Sequence, residues 1–230
     1  MKYTHLMLDA DGTLFDFNRA ERESAARTLT AFPLPCDDRA VAAYQSINDN
    51  LWKELERGEI TQPELRVERF RRLNRYLGTD ADAVEMNAMY SSCLGECAYL
   101  LPDAEEFCRR LGAVCGLYLV TNGVAEVQRR RFAKSGLAPY FSELFISGEI
   151  GFQKPDRGFF DHVASHVPNF SVASVLIVGD SLTSDIAGGH AAGWDTMWLR
   201  PAGICAEPPH PPTYTVSSLR EAWELLLGEA

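Results

Sequence analysis

No segment of this 230-residue sequence approaches the roughly 18 consecutive apolar residues that a membrane-spanning helix requires. The N-terminus lacks a basic start followed by an apolar run and a small-residue cleavage site. No signal peptide is therefore expected, and the reading is of a cytoplasmic protein with no membrane partner. Basic charge is in deficit: 22 Lys and Arg against 32 Asp and Glu leave a net charge of −10. That balance argues against a nucleic-acid polymer as partner, because binding a phosphate backbone needs a basic footprint. The one basic cluster, Arg129-Arg130-Arg131, falls in a helical pattern and is expected to be a solvated helix face. Paired cysteine motifs are also missing. The six cysteines (Cys36, Cys93, Cys97, Cys108, Cys115, Cys205) contain no C-x-x-C pair and no accompanying histidine cluster. Zinc is unsupported, and reduced, mostly buried thiols are expected. There is no internal repeat, and the only compositionally biased stretch is "EPPHPPT" (207–213), expected to be a surface loop before a last strand and helix. Nothing in the pattern sets an oligomeric state. What remains is an ordinary globular composition, 46% hydrophobic and 23% charged.

Short apolar runs at 3–9, 116–122, 143–147, 174–180 and 195–200 read as buried strands. Amphipathic helical stretches alternate with most of them, among them "DAEEFCRRLG", for which Asp103 is the expected N-cap, and "VAEVQRRRFAKSG". Buried strands alternating with helices imply an α/β protein with a doubly wound, Rossmann-like parallel sheet. Ligands of such sheets bind beyond the carboxyl ends of the strands, where Asp9, Thr121-Asn122 and Gly179-Asp180 sit. The interval 17–98 is too long for one crossover helix and carries several helical patterns, broken at Pro33-Leu34-Pro35, at Gly58 and at Gly78-Thr79-Asp80. Two parts are expected: a sheet core of residues 1–16 and 99–230, and an inserted helical domain of residues 17–98.

Four polar pieces converge if the strands are parallel neighbours: Asp9-x-Asp11-Gly12-Thr13-Leu14, Thr121-Asn122-Gly123, Lys154-Pro155, and "GDSLTSD" with Asp180 and Asp185. Each alone has a bland explanation as a cap, a turn or a common dipeptide. Together they gather carboxylates, a lysine and a hydroxyl at one sheet edge, where like charges are expensive to bury unless paired or bound to metal. A hard, oxygen-liganded cation such as Mg²⁺, with a substrate phosphate, fits this set.

In this order, D-x-D-G-T-L, T-N-G, K-P and G-D-x-x-x-S-D resemble the motif set of the haloacid dehalogenase superfamily of phosphohydrolases, and the insert resembles that of its helical-cap subgroup. The stretches "DADGTLFDF", "YQSINDNLW", "GEIT", "SGEIGFQKP" and "GDSLTSDIAGG" are similar to the bacterial pyrimidine 5′-nucleotidase branch. The resemblance implies Asp9 as nucleophile forming an aspartyl-phosphate, and Asp11 as general acid and then base. It implies Mg²⁺ held by the Asp9 side chain, the Asp11 carbonyl and Asp180, with Asp185 bound directly or through water. Thr121 and the Asn122 amide would hydrogen-bond phosphoryl oxygens beside Gly123, and Lys154 would neutralise charge. The implied partner is a small phosphate monoester, a nucleoside monophosphate by the finer similarity.

The presence of Asp11 argues against carbon–halogen cleavage, which needs no leaving-group acid. A sugar or organic-acid phosphatase and a phosphosugar mutase share the four motifs and stay open. A response-regulator-like phospho-accepting domain is the non-enzymatic alternative, but such domains are shorter and lack the helical insert. For the substrate, Phe17, Tyr44 and Trp52 could stack on a base and Asn48 and Asn50 could read its edge, with "GEIT" (58–61) as a turn able to reach it. At helical spacing, Tyr44 and Trp52 read better as core of the insert. Asp16 is expected at the hinge into the insert, with no chemistry assigned.

Overall fold

The computed structural model describes residues 2–200, 203, 207–208 and 210–228; Cys205 and Pro209, on which two of the expectations above partly rest, lie outside them. The chain divides into two compact units: Met1–Asp16 with Tyr99–Ala230, and Phe17–Ala98.

The first unit is built on six strands: β1 (His5–Leu8), β2 (Gly116–Thr121), β3 (Phe141–Ile146), β4 (Val175–Gly179), β5 (Asp195–Leu199) and β6 (Tyr214–Val216). They form one sheet in the order β3-β2-β1-β4-β5-β6, with every pairing parallel. β1 is central because its four residues, His-Leu-Met-Leu, are all buried. Side chains alternate across a strand. Met7 joins Tyr118, Val120, Ile177, Phe159, Phe160 and Val163 in one cluster, and Leu6 and Leu8, also fully buried, point the other way. A sheet apolar on both faces needs helices on both. The strands of this unit are linked or followed by α5 (Ala104–Gly112), α6 (Ala125–Lys134), α7 (Ser147–Ile150), α8 (Arg157–His166), α9 (Ala187–Ala192) and α10 (Leu219–Leu227). Asp103 does precede α5, but it has φ 65° and makes no side-chain cap bond; its carboxylate instead accepts from Arg220. The chain winds outward from β1 to β3 on one side and from β4 to β6 on the other. The winding reverses between β1 and β4, where such sheets leave a crevice at the strand ends.

The second unit is helical: α1 (Phe17–Ala31), α2 (Asp38–Glu56), α3 (Gln62–Leu77) and α4 (Ala83–Glu96). Its breaks follow local chemistry. Asp37 and Asp82 cap α2 and α4, Gly78 ends α3 in the left-handed conformation, and Thr61 and Glu64 form a reciprocal capping box at the start of α3. The "GEIT" threonine is therefore a helix cap. Tyr44 is fully buried against Phe70 and Tyr90, with ring centroids 5.3 and 5.1 Å away. Trp52 packs on Leu51, Leu55 and Leu65. Tyr44 is a core residue of this unit and is not available to a base, and Trp52 is half-buried against that core.

A buried polar chain crosses the same unit. Asn48 donates to Glu21 at 2.8 Å and accepts from Arg69 at 3.3 Å, while Arg69 donates to Asn87 at 2.7 Å. Asn48 is thereby committed to the interior, which removes it as a reader of a base edge; Asn50 is exposed. Gln45 donates to the second Glu21 oxygen. Burial is the main force on Glu21 and pushes its carboxyl from 4.5 up to about 7, against the pull of the Gln45 and Asn48 donors. Of the described cysteines, all free, Cys93, Cys97 and Cys108 are buried, Cys115 is half-buried and Cys36 is exposed.

Candidate active site

Parallel pairing in register decides which residues meet. Leu8 lies opposite both Leu119 and Val178, so Asp9 leaves β1 level with the ends of β2 and β4, and its N–H still donates to Val178 O at 3.0 Å. After Asp9 the chain folds into a tight turn: Leu14 and Phe15 N–H both donate to Ala10 O, and Gly12 N–H donates to Phe15 O. Gly12 has φ +86°, and a Cβ there would stand 2.4 Å from an Asp180 oxygen. Only glycine lets this turn approach the β4 end so closely. Gly179 answers the same need, since a Cβ on it would lie 2.2 Å from Asp185 Oδ2. Asp185 itself sits in a single π-helical turn, Leu182–Ile186, that runs into α9. Its Oδ2 accepts from Ser181 N–H, and the Asp180 carbonyl is anchored by Trp198 Nε1 at 3.0 Å.

The centre of the site is Lys154, 1% exposed. Its Nζ donates to Asp9 Oδ1 at 2.6 Å, to Asp185 Oδ1 at 2.6 Å and to Val120 O at 2.8 Å. Asn122 grips the lysine's backbone, donating from Nδ2 to Lys154 O and accepting from Lys154 N–H, both at 2.8 Å. The Asn122 side chain thus positions the lysine, a use not expected from the sequence. Thr121 Oγ1 accepts from Gly123 N–H and from Gln128 Nε2, each at 3.0 Å.

The charges are unusual for so small a volume. Burial opposes the charge on Lys154, but the facing Asp185 and Asp9 carboxylates outweigh it and hold the ammonium above its ordinary range. Asp9, 7% exposed, is pushed well above the carboxylate range by burial; Lys154 pulls it down, and the Asp185 and Asp180 charges push it further up. Burial, with the neighbouring Asp185 charge second, raises Asp180 to about 7. Asp9, Asp180 and Asp185 each offer one oxygen, and these lie within 4.8 Å of one another. An oxygen-only, carboxylate-rich donor set beside a single lysine suits a hard divalent cation, whose charge would favour the ionised form of all three acids.

Asp11 has its own partners. Arg131 Nη1 donates to its Oδ1 at 2.5 Å and Gln128 Nε2 to its Oδ2 at 2.7 Å. This corrects the expectation for the arginine cluster. Arg129 is exposed and pairs with Glu149, whereas Arg131 is wholly buried. Neighbours two apart on a helix point to opposite sides, so one run of arginines serves solvent and site at once. Gln128 and Arg131 were not legible as site residues. Their spacing on α6, which puts them on one face directly after Thr121-Asn122-Gly123, was the available signal. Phe17 is the first residue of α1 in the helical unit.

The reversed winding at β1/β4 and an acid cluster around a buried lysine define a doubly wound α/β enzyme with a charged centre at its switch point. The model of the haloacid dehalogenase-like hydrolase family matches residues 3–193, and the chain belongs to that family. It is 36% identical over 225 residues to the HAD-hydrolase YfnB of Bacillus subtilis, covering 98% of this chain and 96% of that one. It is 35% identical over 227 residues to the pyrimidine 5′-nucleotidase PynA of Streptococcus pneumoniae, with 98% and 96% covered. To the pyrimidine 5′-nucleotidase YjjG of Escherichia coli it is 32% identical over 232 residues, with 98% and 99% covered. A crystal structure of YfnB bound to magnesium superposes with a TM-score of 0.93 at 36% identity, covering 98% of this chain and 99% of that one. No helix among the described residues is long and apolar enough to cross a membrane.

Proposed function

We propose that the protein is a Mg²⁺-dependent phosphomonoesterase that works through an aspartyl-phosphate on Asp9 and prefers pyrimidine nucleoside 5′-monophosphates. The observation that carries the chemistry is the lysine shared by Asp9 and Asp185 within 2.6 Å of each. The substrate preference is supported by the full-length similarity to two pyrimidine 5′-nucleotidases. In this reading the sheet unit is the catalytic core and the helical unit is the cap.

Lys154 engages Asp9 Oδ1, and the attacking electron pair comes from the other oxygen. Asp9 forms a bond to phosphorus as the bond to the leaving oxygen breaks, and Asp11 supplies that oxygen with a proton. A water then attacks the same phosphorus and gives its proton to Asp11; the Asp9–phosphorus bond breaks, and free phosphate and both starting carboxyl groups are restored. Lys154 keeps Asp9 from repelling the incoming phosphate, and the Thr121 hydroxyl, with the Asn122 backbone amide, orients the phosphoryl oxygens, while the Gly123 N–H holds the Thr121 oxygen in place. Mg²⁺ held by Asp9, Asp180, Asp185 and the Asp11 carbonyl would supply neutralisation of the phosphate's charge.

The test is phosphate release from a panel of nucleoside monophosphates and sugar phosphates, with Mg²⁺ and again with a chelator. Catalytic, Mg²⁺-dependent release that favours the pyrimidine nucleotides is expected. Equal rates on sugar phosphates would remove the nucleotidase assignment and leave the phosphatase. A single stoichiometric phosphorylation without turnover would overturn both.

A further inference from the structure

We infer that Arg131 and Gln128 are positioning residues, which fix the Asp11 carboxylate against the Thr121 hydroxyl so that proton transfer and phosphoryl binding are set in one frame. This rests on the roles proposed for Asp11 and Thr121. Three observations lead to it. A single Gln128 NH₂ group spans the two residues, at 2.7 Å from Asp11 Oδ2 and 3.0 Å from Thr121 Oγ1. Arg131 takes the other Asp11 oxygen and also donates to Gln128 Oε1 at 3.1 Å. Both Asp11 oxygens and both ends of the Gln128 amide are therefore held. Second, the guanidinium carbon lies 4.7 Å from the centre of the Phe15 ring. Phe15 closes the turn that carries Asp11, so one wholly buried cation grips that turn by its carboxylate and by its last ring. Third, Gly123 leaves room for this arrangement, because a Cβ there would stand 2.2 Å from Gln128 Nε2.

The pairing is also asymmetric in a way that a purely structural ion pair does not require. Arg131 has no exposed side-chain surface, whereas Asp11 keeps 26% of its own. The planar fork of the arginine fixes an orientation that a lysine's point charge would not. The carboxylate is thus held rigidly from the protein side and stays open on the other, as a group that exchanges a proton with substrate must be. A loosened carboxylate would transfer its proton less efficiently to a poor leaving group and would matter little to a good one.

The experiment compares kcat/KM, which ends at the first irreversible step and so is blind to later hydrolysis of the phospho-enzyme. A nucleoside 5′-monophosphate, with an alkoxide leaving group that needs the proton, is set against p-nitrophenyl phosphate, whose leaving group does not. The expected loss for Arg131→Met is about 10- to 100-fold on the nucleotide, within the range of general acid catalysis, and less than about threefold on the aryl ester. Gln128→Leu, which also releases the Thr121 hydroxyl, should lower both esters by a common factor and the nucleotide by about 10- to 100-fold more. Arg131→Lys is expected to recover only part of the nucleotide activity. Circular dichroism establishes that each variant folds, and the extra nucleotide loss in Gln128→Leu gives the same reading if the arginine variant does not. An equal fall on both esters, or no fall on the nucleotide, overturns the positioning role while the phosphatase stands. A wild-type protein that releases no phosphate from either ester overturns the functional reading and this inference with it.

Discussion

Replacing Glu21 with glutamine should make the protein more stable at neutral and alkaline pH. Glu21 is 2% exposed and sits in α1 at the head of the Asn48–Arg69–Asn87 chain. Its carboxyl rises from 4.5 in the unfolded chain to about 7 in the folded one, chiefly through burial. A folded-state pKa above the unfolded value means that the native state takes up the proton more readily. The stabilisation is complete below about 4.5 and is lost as pH rises through about 7. At about 1.4 kcal/mol per unit, the rise corresponds to about 3 kcal/mol of stability lost across that window. Glutamine keeps an oxygen for the Asn48 donor and carries no charge, but turns an NH₂ toward Gln45, which costs about 1 kcal/mol. The variant should therefore be less stable than the wild type by about 1 kcal/mol near pH 4.5 and more stable by about 2 kcal/mol at pH 8. Urea unfolding followed by circular dichroism at several pH values reads the difference directly, and the other titrating groups cancel in it. A wild-type-minus-variant difference that stays constant with pH would refute the assignment of this burden to Glu21.

Three further substitutions probe the strand ends. Asp9→Asn keeps an acceptor for Lys154 but removes the proposed nucleophile, so turnover on any phosphate ester should fall more than about 10³-fold, with a melting temperature no lower than the wild type's. Lys154→Met strands the Asp9 and Asp185 carboxylates without their shared cation, and should cost about 3–5 kcal/mol by chemical denaturation as well as abolish activity. Gly12→Ala must place a side chain at φ +86° against Asp180. It should lose about 1–2 kcal/mol from the backbone alone and weaken Mg²⁺ binding measured by calorimetry.

Much of this was legible along the chain, for reasons that are local. Strand β1 could be read because three consecutive apolar residues, Leu6, Met7 and Leu8, run into Asp9, and a strand buried on both faces has no other appearance. The breaks at Pro33-Leu34-Pro35, Gly58 and Gly78-Thr79-Asp80 carry their own turn chemistry, so the helices of the insert could be read as well, although the residue that caps the last of them is Asp82. The order of the four motifs gathered Asp9, Asp11, Thr121, Lys154, Asp180 and Asp185 at one sheet edge, because a parallel sheet with helical crossovers presents its strand ends and the helix starts that follow them on one side. Tyr44 and Asn48 were ambiguous for the opposite reason: an amphipathic helix shows which face is apolar but not what the polar residues within that face bond to.

What the sequence determined by itself was the class of fold, the family and the list of charged groups, since these follow from periodicity and ordered motifs. What the tertiary structure alone decided was their pairing. Arg129, Arg130 and Arg131 are chemically identical in the chain. One reaches solvent and Glu149, and another is sealed against an aspartate 120 residues earlier. Asn122 looked like a ligand for phosphate, and its side chain is spent on the backbone of Lys154. Contacts of this kind depend on the register of three strands and on the turn of one helix against them, and neither is encoded near the residues that meet.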